Sequence, residues 1–218
     1  ILASSLRPNV ALKEAEQMGI EFAKNLKTAT ISELRSKSAK EILTTTGGLS
    51  SPIDDGYVLP QPISEIYAKG LQNDVAILLG WNEEDIVMGR PLNANDFKSQ
   101  LEKQYLDKAN KLMQFYPISN DSIALESQKA LSRDQTFGVQ GYAWANAQNK
   151  SGNSKVYVYN FNRKLPAYTA ETAFGAFHSS EIVYAYNNMH TLNRPWEEID
   201  KTIANQMSTY FSNFIKTG

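Results

Sequence analysis

Two short stretches carry the residue types that acid–base chemistry needs. Trp81-Asn82-Glu83-Glu84-Asp85 gathers three acids, and Phe174-Gly175-Ala176-Phe177-His178-Ser179-Ser180-Glu181 sets a histidine among small and polar residues. A carboxylate against one imidazole nitrogen fixes the tautomer and leaves the other nitrogen free to take a proton from a nucleophile. The two stretches are far apart along the chain, so only a fold can join them. The bland alternatives are a surface histidine and an acid cluster that opens a short helix at its positive end. The other histidine, His190, lies between Met189 and Thr191 and reads as structural. With 2 histidines and no cysteine, disulfides, thiolate metal sites, iron–sulfur clusters and cysteine nucleophiles are excluded, and little remains for a histidine metal centre. G-x-S-x-G, G-x-G-x-x-G, P-loop, H-E-x-x-H and S-x-x-K patterns are all missing from the sequence.

Strands must deliver both stretches. Asp74 to Gly80 contains five consecutive apolar residues and reads as a strand buried on both faces, as in a parallel sheet. Lys155 to Phe161 is β-branched and aromatic and reads as a second strand. Each chemistry-bearing stretch follows one of them, where α/β proteins collect working residues at the carboxyl ends of strands. Between the strands the pattern is helical over about 95–115 and 119–146, with a polar loop at 149–154. Upstream, Leu12, Ala15, Met18, Phe22 and Leu26 mark a helix with one buried face. Thr30 with Glu33 and Ser38 with Glu41 are capping boxes for helices over 30–37 and 38–45. Gly47 to Pro52 breaks the chain, Asp55-Gly56 signals a turn, and a short helix is expected around 64–69. A last helix is expected from Pro195-Trp196, with Glu197 and Glu198 in its first turn and Ile199, Ile203, Met207, Tyr210 and Phe214 on its apolar face. The alternation implies an α/β class that is helix-rich, with two principal strands too few for a whole sheet.

The 218 residues carry 22 basic and 23 acidic side chains and 42% hydrophobic residues, a composition for a globular chain with a real core. The near-neutral balance offers no footprint for nucleic acid or an anionic membrane surface, and no stretch approaches the roughly 18 apolar residues of a membrane span. The first ten residues lack the charged start and apolar run of a signal peptide.

Phe174 to Tyr184 resembles the catalytic-histidine segment of type-B carboxylesterases, the group of para-nitrobenzyl esterases and cholinesterases. Asp55-Gly56-Tyr57-Val58-Leu59-Pro60 resembles that family's D-G-x-x-L-P turn, and Val75 to Asp85 its strand followed by G-x-N-x-D-E-G, which carries the triad acid. Ser132 to Phe137 is similar to a helical D-x-x-F element, Glu16 to Leu43 to the helices that follow the nucleophile region, and Trp196 to Gly218 to the helix before the domain end. The resemblance implies an α/β-hydrolase fold, with residues 1–218 forming a single partial domain from its C-terminal portion. It implies His178 as catalytic base and Asp85 as triad acid, in the place where the family usually has glutamate; Ile86 replaces the following glycine, and Glu84 is the runner-up acid. The nucleophile elbow and oxyanion loop would lie upstream of this stretch, so the chain reads as a C-terminal fragment, inactive alone, of an enzyme that hydrolyses small-molecule carboxylic esters without cofactor or metal. Nucleic acid and membrane insertion are not expected, and a severed sheet should make the fragment self-associate. Two rival readings are a noncatalytic binding or adhesion protein on an esterase scaffold and a free-standing α/β binding module.

Overall fold

The computed structural model describes residues 9–48 and 51–218, which divide into two compact units, 9–72 and 73–218. In the first, helix α1 (Leu12–Asn25) turns Ala15 inward and ends at the buried Leu26, while Leu12 at its start stays exposed. Both expected capping boxes form. Thr30 and Ser38 are the caps themselves, so the helices are α2 (Ile31–Ser36) and α3 (Ala39–Thr44) and start one residue later than the sequence pattern implied. Beyond Gly47 and Gly48, which take φ of +94° and +96°, the remainder of the expected break includes Leu49 and Ser50, outside the described residues. Asp55 makes the turn that follows: one carboxylate oxygen accepts the amides of Tyr57, Val58 and Leu59 at 2.9, 2.8 and 3.0 Å. Those bonds hold its carboxyl below the usual range. Two features had no sequence signal: β1 (Val10–Ala11) pairs in parallel with β2 (Ile53–Asp54). The short helix α4 (Ile63–Ala68) completes the unit.

The second unit is built on β3 (Ile77–Asn82) and β4 (Val156–Phe161), parallel and paired from Ile77 with Val156 through Asn82 with Phe161. The first strand thus begins and ends later than the apolar run suggested. Asp74 is diverted: its carboxylate accepts the amides of Asn153 and Ser154 at 2.9 and 3.0 Å and ties off the loop that feeds β4. Between the strands run α5 (Ala94–Tyr105), α6 (Ala109–Phe115), α7 (Asp121–Arg133) and α8 (Val139–Ser151). The expected helix over 95–115 is broken at Leu106, whose φ of +49° is incompatible with continuing α5. A π-helical turn, Asp134–Gly138, joins α7 to α8.

Helix α8 lies on one face of the strand pair, where the hydrogen of Gly141 leaves room for Leu79 and Trp81. Helix α10 (Glu198–Thr217) covers the other, with Phe211 edge-on to Tyr159 and Phe214 edge-on to Tyr157. It begins at Glu198, beyond the expected Pro195-Trp196 start, because Glu197 is its cap, exchanging hydrogen bonds with Asp200, while the indole of Trp196 donates back to the carbonyls of Met189 and Leu192. On its expected apolar face, Ile203 and Met207 pack into the core, but Ile199 and Tyr210 remain exposed. Arg163, just past β4, forks onto Asp200 and reaches Glu197, and Tyr184 of α9 (Ile182–Ala185) donates to Asp200 at 2.8 Å. The core of this region is Phe161, Leu165, Ala176, Val183, Tyr184 and Ala204. The architecture is a helix-rich α/β fold with few, short strands. Among the described residues no helix is long and apolar enough to cross a membrane.

Candidate functional site

Both strands end on the same side, because they are parallel and adjacent, and the two chemistry-bearing stretches leave them there. The acids after β3 do not open a helix. The backbone turns instead, with the Asp85 amide on the Asn82 carbonyl at 3.2 Å and the Ile86 amide on the Glu84 carbonyl at 2.8 Å. Each acid consequently points at a different partner.

Asp85 meets His178. Its Oδ1 lies 2.8 Å from His178 Nδ1, and its Oδ2 accepts the Asn82 amide at 2.8 Å. A carboxylate only accepts, so Nδ1 donates in this bond, and Nε2 is the ring nitrogen that Asp85 does not engage. The Asp85 side chain is 3% exposed and that of His178 62%, so a sheltered acid holds a ring whose other edge is accessible. Phe137, from the π-helical turn, lies beside the imidazole with ring centroids 5.6 Å apart.

Glu84 does not touch the ring. Its Oε2 accepts the Ala176 amide at 2.7 Å, its own amide donates to the Ala176 carbonyl at 3.1 Å, and Lys164 lies 3.7 Å from Oε1. Glu83 pairs with Arg133, which also donates to the Glu83 carbonyl at 3.3 Å. Arg133 is fixed in turn by Asp134, and Asp134 accepts the Tyr116 hydroxyl at 2.7 Å. Burial first, and that hydrogen bond second, push the Tyr116 phenol up to about 12.

Residues on which the sequence reading placed no role hold the histidine loop. Asn82 is buried, and its Nδ2 donates to the Phe177 carbonyl at 2.7 Å, to Ser180 Oγ at 3.4 Å and to Glu181. Gly175 takes φ of +71°, and its carbonyl accepts the Leu165 amide at 3.2 Å. Tyr159 stands under the site on β4; burial, then the negative charges of Glu181 and Asp85, push its phenol well above its ordinary value and keep it neutral. The only signal for Asn82 was its place in the G-x-N pattern, and for Phe137 its place in D-x-x-F. His190 sits exposed in a 3-10 turn, Met189–Thr191, apart from this network.

A parallel strand pair with helices on both faces is an α/β arrangement, and its polar cluster lies beyond the carboxyl ends of the strands, where such folds customarily carry their sites. The chain belongs to the carboxylesterase family, whose sequence model matches residues 3–218. It is 24% identical over 210 residues to a crystal protein of Dictyostelium discoideum, covering 84% of this chain and 38% of that protein. It is also 25% identical over 202 residues to a fumonisin B1 esterase of Sphingopyxis macrogoltabida, covering 84% of this chain and 35% of that enzyme. The chain therefore spans little more than a third of the length of these curated relatives.

Proposed function

We propose that this chain is the acid-and-histidine portion of a serine carboxylesterase of the para-nitrobenzyl esterase and cholinesterase type, acting on small-molecule carboxylic esters. One observation carries the reading: the buried Asp85 carboxylate in hydrogen-bond contact with an otherwise accessible His178. In the whole protein, His178 Nε2 takes the proton of a serine hydroxyl supplied by another part of the polypeptide. The serine oxygen bonds to the ester carbonyl, and His178 returns the proton to the departing alcohol, leaving an acyl-serine. Water, deprotonated by the same nitrogen, releases the carboxylic acid and restores the serine. Asp85 holds the tautomer and stabilises the imidazolium formed in both steps. The chemistry calls on no cofactor or metal.

The test is turnover of a nitrophenyl ester by the whole protein. His178→Ala should lower kcat by about 10⁶-fold, the scale on which losing one member of such a unit is felt, while the isolated 218-residue chain should show no turnover. Near-normal turnover in His178→Ala removes the residue from the mechanism. A second reading, a noncatalytic binding protein that keeps the esterase scaffold, is favoured by the likeness to a crystal protein. It predicts a whole protein without turnover in which Asp85 and His178 remain paired.

A further inference from the structure

We infer that Glu84 is a positioning residue for His178: its side chain and its backbone together clamp Ala176 and so set the height at which the imidazole meets Asp85. The inference rests on the esterase reading of Asp85 and His178. Adjacent residues on the acid turn face the histidine loop in two ways. Asp85 reaches the ring, and Glu84 reaches the backbone two residues before it, donating its own amide to the Ala176 carbonyl at 3.1 Å and accepting the Ala176 amide on Oε2 at 2.7 Å. This reciprocal pair is the one point where the two loops are joined through both polar groups of a single residue, and it extends the parallel ladder as a bridge from Glu84 to Phe177.

Gly175 completes the clamp. A Cβ there would lie 2.8 Å from the Glu84 carboxyl carbon, and φ of +71° disfavours any side chain. The glycine therefore allows the carboxylate to lie flat over the loop backbone. The carbonyls of Gly175, Ala176 and Phe177 are all taken, by the amides of Leu165 and Glu84 and by the Asn82 side chain respectively. His178 follows this pinned backbone directly, so its position is inherited from Ala176 and Phe177. Lys164, 74% exposed and 3.7 Å away, adds little.

With 2 histidines in the chain, ring N–H NMR of these 218 residues reads His178 with His190 as an internal control. The wild-type chain should show an exchange-protected Nδ1–H on His178. Glu84→Ala should lose it, Glu84→Asp, one methylene short of Ala176, should weaken it, and Glu84→Gln, which keeps the accepting oxygen, should retain it. Gly175→Ala should reproduce the loss by displacing the carboxylate, and His190 should be unmoved throughout. In the whole protein, Glu84→Ala should lower kcat by about 10²-fold, the cost of roughly an ångström of misplacement, with KM within twofold. A full wild-type His178 signal in Glu84→Ala or Glu84→Asp overturns the inference, as does a Glu84→Gln variant that loses it completely. Asp85→Ala, which leaves no acceptor for the Nδ1 proton, separates the two layers. If it leaves the His178 signal unchanged, the Asp85–His178 reading itself has failed; if it removes the signal and Glu84→Ala does not, only the clamp has failed.

Discussion

At the scale of the residue, three consecutive acids do three different things because a turn, not a helix, carries them. Glu83 pairs with Arg133, Glu84 grips the Ala176 backbone, and Asp85 holds the imidazole. Aspartate at the last position suffices because the Asn82 amide and carbonyl fold the turn toward the histidine loop. Charge at Asp85 and hydrogen-bond acceptance at Glu84 are therefore the properties to separate. Replacing a triad aspartate by asparagine costs about 10⁴-fold in kcat in a serine protease, through the wrong tautomer, and Asp85→Asn should approach that loss in ester turnover by the whole protein. Glu84→Gln should stay within about tenfold, because an amide oxygen still accepts. Steady-state kinetics of the two variants side by side decides the order, and the reverse order would pass the acid role to Glu84.

At the scale of the element, β3 and β4 are held together by more than their ladder. Gly80 is registered opposite Tyr159, and the tyrosine ring lies across it so closely that a Cβ would fall 2.5 Å from ring carbons. The glycine, weak in a strand on propensity alone, is there for close approach. Gly80→Ala should force the Tyr159 ring off its position and destabilise the fold by about 1–3 kcal/mol. Thermal unfolding followed by circular dichroism checks the size, and near-ultraviolet signals report the displaced ring. A variant as stable as the parent would mean that the ring moves at no cost. The ends of α9, α10 and β4 meet in a different way, through one buried carboxylate.

That carboxylate links the element scale to the whole molecule. Asp200 is fully buried, and burial alone would raise its pKa, but the hydrogen bonds from Arg163, the Glu197 amide and Tyr184 outweigh it and hold the carboxyl below its ordinary value. A folded-state pKa depressed below the unfolded value, near 4, stabilises the fold above that pH, and the contribution fades as pH falls through the folded pKa. Asp200→Asn should cost about 3 kcal/mol at pH 7, the scale for removing one partner of a buried pair. It should also flatten the decline in stability below about pH 4. Denaturant titrations at pH 7, 5 and 3 test both parts, and equal slopes in parent and variant would remove Asp200 from the acid response. The same unit exposes apolar surface around a groove of ≈ 550 Å³ between α10 and the strands, lined by Leu78, Met207 and Phe214 and bordered by the exposed Tyr157 and Tyr210. Apolar patches of this kind seek partners. The 218-residue chain should sediment as a dimer or larger at micromolar concentration, and Tyr210→Asp should shift it toward monomer; a monomeric parent chain would show that the surface is tolerated in water.

Local chemistry is legible in the sequence itself. Thr30, Glu33, Ser38 and Glu41 specify their helix starts through contacts three residues apart, Asp55-Gly56 builds its turn from its own neighbouring amides, and the apolar run before Gly80 and the β-branched and aromatic run through Phe161 announce strands, although Tyr157 and Val158 of the second stay exposed. The order strand, acid, helices, strand, histidine and the family likeness belong to this layer too. Tertiary structure alone decided the rest. The two-residue strands β1 and β2 have no periodicity to read, since each is defined by a partner over 40 residues away. Leu106 ends a helix whose sequence would continue, and Asp74 leaves its strand for two distant amides. Above all, Glu84 and Asp85 are neighbours with nearly the same chemistry; the family likeness favours Asp85, but no local physical rule distinguishes them. Which one faces His178 is set by the turn at Asn82 and by the parallel register of β3 on β4, long-range constraints that exist only once the chain has folded.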